Sequence, residues 1–241
     1  MTAEELNVLW HDLECGAYED DLPLWRELAG RAGGPVLDLG AGTGRVALAL
    51  ARAGHEVVAL DLDAGFLAAL RTRAGELPVT TEQADAREYD LGRRFPLILA
   101  PMQTVQLLGG PAGRARFLAT AAAHLAPGGL LACALADALD AFDAEHDQPP
   151  PPDQTEVDGV VYTSAPVAVR DRGDRAAIER VRAIVAPGGA RSASTDVIEL
   201  DRLDVAGLEA EAAAHGLRAE PPVRIPESDE YVGSTVAMLR A

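Results

Sequence analysis

Three closely spaced glycines mark the part of this 241-residue chain most suited to ligand binding. Gly40, Gly42 and Gly44 follow an apolar run and precede a helical pattern that begins at Arg45. Because glycine has no Cβ, the backbone of such a turn can approach a ligand closely. The helix that follows presents its N-terminal N–H groups at the same place, where they favour an anion. The pattern therefore predicts a buried strand that ends in a ligand-binding turn.

Two aspartates stand at the ends of the next two predicted strands. Asp61 closes the strand pattern at residues 56–61, and Asp85 follows the pattern that begins at residue 78. A carboxylate at a strand end beside a glycine turn can accept hydrogen bonds from both hydroxyls of a ribose, and we predict this role for Asp61. The residues alone leave open whether Asp85 contacts a ligand or only forms a turn, where aspartate is common.

Residues 36–44, Val-Leu-Asp-Leu-Gly-Ala-Gly-Thr-Gly, resemble motif I of the class I S-adenosylmethionine-dependent methyltransferases. The resemblance covers residues 34–136 closely and residues 201–241 loosely. A dinucleotide-binding fingerprint would place its third glycine at position 45, where this chain has Arg45. A nicotinamide oxidoreductase is therefore the less favoured interpretation.

The resemblance implies S-adenosylmethionine as the cofactor and S-adenosylhomocysteine as its product. In the family, an acid at the position of Asp85 holds the adenine amino group, and the next backbone N–H, that of Ala86, meets a ring nitrogen. We expect the cofactor-binding residues to come from the ends of the first four strands: Asp38, Gly40, Ala41, Gly42, Gly44, Asp61, Leu62, Asp85, Ala86, Pro101 and Met102. No metal site is expected, because Cys15 and Cys133 are far apart and have no ligand-type spacing.

The methyl acceptor should lie near the loop that follows the fourth strand, since ligands bind outside the carboxyl ends of strands in open α/β sheets. Five residues are unranked candidates to orient or deprotonate an acceptor: His11, Tyr18, Gln103, Gln106 and Asp137. A sulfonium methyl group is already activated, so catalysis can come mainly from holding the acceptor atom in line. A dedicated base is optional, and no catalytic residue is assigned.

The elements that would position these residues alternate between strand and helix patterns. Together with the resemblance, they predict a single α/β domain over residues 1–241, with a doubly wound, mostly parallel sheet in the order 3-2-1-4-5-7-6 and strand 7 antiparallel. Residues 1–33 should be helical, with Asp20 or Asp21 capping a helix. Three Val-rich segments predict a small antiparallel insertion after strand 5, residues 155–200, reached through a solvated, proline-rich connection. The resemblance implies that this insertion is a cap for the acceptor.

Composition narrows the class of protein. The formal net charge of −17 argues against a nucleic-acid partner, which needs a basic surface. The longest apolar stretch is interrupted by His124, Pro127 and two glycines, so no membrane span is expected. Two distant cysteines and an acidic N-terminus, unlike a secretory signal, lead us to expect a cytoplasmic protein. One face of the insertion should pack on the core or on a second subunit, so a homodimer is one expected assembly.

We therefore predict an S-adenosylmethionine-dependent enzyme that methylates N or O of a small molecule. The alternatives are a protein or nucleic-acid methyltransferase of the same fold and a non-catalytic protein that binds S-adenosylmethionine. The nucleic-acid version is disfavoured by residues 100–103, Ala-Pro-Met-Gln, because nucleic-acid amino-methyltransferases carry Asn/Asp-Pro-Pro-aromatic there.

Overall fold

The computed structural model describes residues 1–136, 139–147, 150–228 and 232–241. Seven strands form the main sheet: β1 (Val36–Leu39), β2 (Val57–Asp61), β3 (Val79–Gln83), β4 (Phe95–Ala100), β5 (Leu125–Ala136), β11 (Arg218–Ile225) and β12 (Ser234–Arg240). Their order is β3-β2-β1-β4-β5-β12-β11, and β12 runs antiparallel to both of its neighbours. The predicted α/β class and strand order are confirmed.

Helices cover both faces of this sheet: α1 (Ala3–Cys15), α2 (Leu22–Ala32), α3 (Arg45–Arg52), α4 (Ala64–Ala74), α5 (Gly110–His124) and α6 (Val205–Ala213). Neighbouring strand residues point to opposite faces, so Val36 packs with α2, α3 and α4, whereas Leu37 packs with α5 and α6. A short 3-10 helix, Thr104–Leu107, follows β4. The central strands are buried on both faces, which holds their carboxyl ends in fixed positions.

The insertion forms a second, antiparallel sheet from β6 (Phe142–Asp143), β7 (Asp153–Val157), β8 (Val160–Asp171), β9 (Arg175–Val185) and β10 (Arg191–Asp201). Its order is β10-β9-β8-β6, and β7 also pairs with β8. The sheet therefore starts before residue 155, and the segment expected to be only a solvated connection contributes two strands. The sequence signal for β7 was its turn: Asp158 and Gly159 both have positive φ, as an Asp-Gly hairpin requires.

No helix in the described part of the chain is long and apolar enough to cross a membrane.

Candidate functional site

The glycine turn after β1 requires glycine for two reasons. Gly40, Gly42 and Gly44 all have positive φ, at 71°, 54° and 100°. A Cβ on Gly42 would also lie 2.6 Å from the ring of His11, and one on Gly40 would lie 2.7 Å from the side chain of Thr104. The N–H groups of Gly40 and Ala41 both donate to the carbonyl of Leu60, at 2.9 and 3.0 Å. The turn is thereby fixed to the end of β2.

Asp61 lies where β2 ends, directly beside this turn. One carboxylate oxygen accepts the N–H of Gly42 at 2.8 Å, and the other accepts the N–H of Asp63 at 2.9 Å. An ionised carboxylate has about four acceptor positions, so two remain for a ligand. The structure brings Asp61 and the glycine turn together, as a ribose contact requires.

Asp38, in the middle of β1, is a buried carboxylate without a partner. It is 1% exposed, and neither oxygen has a hydrogen-bond partner among the described residues. Burial raises the pKa of Asp38 to about 7, although the Arg45 guanidinium opposes this shift. Burying a carboxylate without hydrogen bonds is costly. A cationic or donating group of a ligand would supply the interaction that the protein itself lacks here.

Helix α1 lies across the turn. The Asp12 carboxylate accepts the Thr43 hydroxyl at 2.6 Å and forms an ion pair with Arg73. His11 Nδ1 lies 3.3 Å from the same hydroxyl oxygen. Because the Thr43 proton is directed to Asp12, the hydrogen-bond network assigns the proton of this contact to His11 Nδ1. His11 also packs against Phe66, with ring centroids 4.4 Å apart, and burial lowers its pKa.

The opposite side of α1 contacts the second sheet. Glu14 accepts the Ser164 hydroxyl at 2.7 Å and two guanidinium N–H groups of Arg182, each at 2.7 Å. The ring of Trp10 meets that of Tyr162 edge-on, with centroids 5.6 Å apart. Helix α1 is thus a bridge between the glycine turn and the insertion.

Asp85 lies after β3 and is bound by Arg87. The backbone N–H of Arg87 donates to Asp85 Oδ1 at 2.8 Å, and its guanidinium reaches both carboxylate oxygens. This guanidinium holds the pKa of Asp85 below its usual value.

A small cavity, open to solvent, lies beside the carboxyl ends of β4 and β5. Its described lining residues come from α1–α2, the β4 loop, β5 and the start of β12: Tyr18, Asp21, Met102, Gln103, Ala134, Ala136, Val232, Gly233 and Ser234. Met102 has a φ of 54°, a left-handed conformation that is uncommon for a residue other than glycine and often marks a functional site.

Comparisons with known proteins agree with this geometry. A family model described as a methyltransferase domain matches residues 36–129. A curated relative, the cypemycin N-terminal methyltransferase of a Streptomyces species, is 35% identical over 104 residues. That match covers 43% of this chain and 41% of the relative, so the chain aligns with less than half of the relative's length.

Two solved structures share the whole fold. One is CalS10 with bound S-adenosylmethionine, an amino pentose methyltransferase from Micromonospora echinaspora, with a TM-score of 0.71, 21% identity and coverage of 99% of this chain and 98% of CalS10. The other is the sugar N-methyltransferase KedS8 from Streptoalloteichus, with a TM-score of 0.74, 19% identity and coverage of 98% and 93%.

Residues 36–129 match a methyltransferase domain, and the chain has the fold of S-adenosylmethionine-dependent methyltransferases. The residues of this methyltransferase domain fit its cofactor, because Asp38 is a buried carboxylate without a partner and the cofactor carries an ammonium group.

The five residues predicted as candidates to contact the acceptor do not all lie in one place. Tyr18 and Gln103 both line the cavity, whereas His11 lies against the glycine turn. Gln106 is 1% exposed; its amide N donates to the Asp201 carbonyl at 3.2 Å and its amide O accepts the Ala136 N–H at 2.8 Å. Gln106 therefore ties the insertion to β5 and does not line the cavity. Asp137 lies outside the described residues.

Sequence reasoning missed Asp21 and Ser234 as cavity residues. Asp21 was expected only as a helix cap, but its side chain makes no capping bond and instead forms an ion pair with Arg45. No local pattern indicates a pair 24 residues apart. Ser234 could have been predicted as a cavity residue, because the predicted strand order already places β12 next to β5. Ser234 pairs there with Ala136.

Proposed function

We propose that the protein transfers the methyl group of S-adenosylmethionine to the nitrogen of an amine on a small molecule. The observation that carries this proposal is the chemistry of the cavity beside Met102. Its described lining includes the hydroxyls of Tyr18 and Ser234, the Gln103 amide and the Asp21 carboxylate, which Arg45 already neutralises, but no arginine or histidine. Such a lining suits an amine and its hydroxyl-bearing neighbours better than a carboxylate or a phosphate.

In this proposal the cofactor lies across the ends of β1, β2 and β3. Asp38 holds its ammonium group, Asp61 its ribose hydroxyls, and Asp85 with the Ala86 N–H its adenine ring. The side chain of Leu62 is 66% exposed next to Asp61, which offers apolar surface to a base. When bound, the cofactor supplies a methyl group on a sulfonium, which needs no further activation.

The protein's contribution to the transfer is to orient the acceptor. Burial raises the pKa of Tyr18, so its phenol stays protonated and serves as a hydrogen-bonding group rather than a base. Tyr18 and Gln103 fix the direction of the acceptor, and the apolar side chains of Met102 and Val232 exclude water around it. Because no histidine lies among the described lining residues, the amine loses its proton to solvent before it reacts. Holding the nitrogen in line accounts for the rate.

The names of the reported relatives support an amine acceptor. One is an N-terminal methyltransferase, one is a sugar N-methyltransferase, and the third acts on an amino pentose. An amine-bearing acceptor is common to these names, whereas a sugar is not. The proposal therefore specifies an amine, and experiment must identify the molecule that bears it.

Matched acceptors test this proposal. The protein is incubated with S-adenosylmethionine and one member of each pair: an amino sugar or its hydroxyl analogue, and a short peptide with a free or an acetylated N-terminus. Formation of S-adenosylhomocysteine and of methylated product is followed by mass spectrometry. We expect turnover with the amino sugar and none with its hydroxyl analogue.

Other outcomes overturn the proposal. Methylation of the hydroxyl analogue would replace the amine with an oxygen acceptor, and methylation of the free peptide alone would point to a protein substrate. Calorimetric binding of S-adenosylmethionine without turnover on any amine would favour a non-catalytic binding protein. Binding of NAD without binding of S-adenosylmethionine would overturn the cofactor as well.

A further inference from the structure

The Asp85 carboxylate is bound on both oxygens by one guanidinium. Arg87 Nε lies 2.9 Å from Oδ1 and 3.1 Å from Oδ2, and Nη2 lies 2.6 Å from Oδ2. The backbone N–H of Arg87 adds a fourth contact, to Oδ1 at 2.8 Å. A planar guanidinium that spans both oxygens fixes the plane of the carboxylate, which a point charge does not do.

Arg87 is itself fixed to α5 and to the residues just before it. Its carbonyl accepts the Thr120 hydroxyl at 3.0 Å, and its Nη1 lies 3.4 Å from the carbonyl of Leu108. Its side chain also runs past Gly113, where a Cβ would stand 3.6 Å from Arg87 Cδ. The orientation of the Asp85 carboxylate is therefore set by contacts with helix α5 as well as by its own loop.

Stability alone does not account for this arrangement. The side chains of Arg87 and Asp85 are 32% and 33% exposed, and ion pairs this close to solvent contribute roughly 0–1 kcal/mol. Four contacts to one carboxylate strongly restrict its orientation, although they add little to the stability of the fold. A fixed orientation matters most where the carboxylate has to meet a ligand with defined geometry.

We propose that Arg87 is a positioning residue that holds the Asp85 carboxylate in the orientation in which it accepts a hydrogen bond from the adenine amino group. This proposal rests on the proposed function, in which Asp85 contacts adenine. Arg87 does not touch the cofactor; it acts through Asp85. The four contacts come from three N–H groups of Arg87, because Nε is shared between the two oxygens. An ionised carboxylate has about four acceptor positions, so about one remains for the adenine amino group.

The test compares two ligands that differ at one group of the base. S-Adenosylhomocysteine carries the 6-amino group, and S-inosylhomocysteine carries an oxygen there. Affinities are measured by calorimetry for the wild type, Arg87→Gln, Arg87→Lys and Asp85→Asn. We expect the wild type to prefer the adenosyl ligand and Arg87→Gln to weaken that ligand roughly tenfold, the scale of one charge-assisted hydrogen bond, with the inosyl ligand changed less than about twofold.

Arg87→Lys separates orientation from charge. Lysine retains the positive charge but cannot span both oxygens, so we expect it to lose discrimination nearly as Arg87→Gln does. Discrimination equal to that of the wild type in Arg87→Lys would overturn the positioning role. Equal weakening of both ligands in the Arg87 variants would also overturn it, because that pattern reports a structural role alone.

A matched control removes an arginine from an aspartate elsewhere. Arg170→Gln breaks the pair with Asp143 in the insertion, at 2.5 Å, and should leave both affinities unchanged. The proposed function fails separately, if the wild type binds neither S-adenosylmethionine nor S-adenosylhomocysteine. If the wild type binds both homocysteine ligands equally, the proposed function survives and the Arg87 proposal is overturned.

Discussion

At the scale of single residues, Asp61 and Asp38 occupy neighbouring strands and meet opposite conditions. Asp61 accepts two backbone N–H groups and keeps acceptor positions for a ligand. Asp38 is fully buried and has no partner among the described residues, so it destabilises the ligand-free protein. A residue that lowers stability in this way is expected to contribute to ligand binding instead of to the fold.

The first prediction concerns Asp38 and pH. Its pKa is about 7 in the folded protein against 3.8 for the unperturbed group. Between these values the folded state holds a proton that the unfolded state has lost, so this group's contribution to stability falls as pH rises. Asp38→Asn removes the titration. Relative to this variant, the ligand-free wild type should lose about 2–3 kcal/mol of unfolding free energy between pH 5 and pH 8.

Urea unfolding of both proteins at the two pH values measures this difference. Other titrating groups, including His11, are common to both proteins and cancel in the comparison. We expect Asp38→Asn to bind S-adenosylmethionine more weakly at pH 8, where the wild-type carboxylate is charged. Parallel pH dependences of stability would show that Asp38 does not titrate in this range.

The second prediction concerns Asp61. In Asp61→Asn only one side-chain oxygen remains, so the Gly42 N–H and the ribose hydroxyls compete for it. We expect affinity for S-adenosylhomocysteine to fall by roughly 1–3 kcal/mol and stability by about 1 kcal/mol. Asp204→Asn is the control, since Asp204 caps α6 and asparagine caps equally well. Unchanged affinity in Asp61→Asn would remove Asp61 from the ribose site.

At the scale of elements, α1 connects two parts of the molecule that the sequence separates widely. Its Asp12 and His11 contact Thr43 beside the glycine turn, and its Glu14 contacts Ser164 and Arg182 in the insertion. The insertion is therefore not an independent module. Disrupting the contact between the insertion and α1 should therefore weaken cofactor binding.

The third prediction tests this connection with Glu14→Gln. The carboxylate is 7% exposed, and the loss of its charge leaves the Arg182 guanidinium with the more exposed Asp196 as its remaining ionic partner. We expect a loss of roughly 2–4 kcal/mol of unfolding free energy, faster hydrogen exchange in α1 and weaker cofactor binding. Glu27→Gln breaks the exposed pair with Arg31, at 52% and 73% exposure, and should cost less than about 1 kcal/mol. Unaltered exchange in α1 would contradict the bridging role.

Elements were predictable where one local pattern decides them. The central strands are apolar runs ending at glycine or aspartate, and the burial of β1 and β2 follows from those runs. The polar strand β7 has no apolar alternation, so only the Asp-Gly turn at residues 158–159 could have indicated it.

The site was predictable to the extent that strand ends define it. Asp61 and the glycine turn meet because β1 and β2 are parallel neighbours. The roles of Glu14 and Gln106 depend on partners 168 and 95 positions away in sequence, in Arg182 and Asp201. Such pairings arise from tertiary packing and leave no periodic signal in a single sequence.

At the scale of the whole molecule, charge is the dominant property. The formal net charge is −17, with 38 acidic residues against 21 basic ones. Among the described residues, arginine supplies the cation of every ion pair except the one between His124 and Asp90, and the acids outnumber the arginines by 17. A field of this sign raises the local concentration of cations and the rate at which they associate.

The last prediction uses this field to compare the two forms of the cofactor. S-Adenosylmethionine carries a sulfonium, an ammonium and a carboxylate, for a net charge of +1, whereas S-adenosylhomocysteine lacks the sulfonium and is net neutral. Raising ionic strength from about 10 mM to about 1 M shortens the screening length from about 30 Å to about 3 Å. The association rate constant of the methyl donor should therefore fall several-fold relative to that of the product, because only the donor is attracted by the net field. Stopped-flow measurement with both ligands on the same protein cancels effects of salt on the protein itself. Identical salt dependence for the two ligands would show that the net charge does not guide the donor to its site.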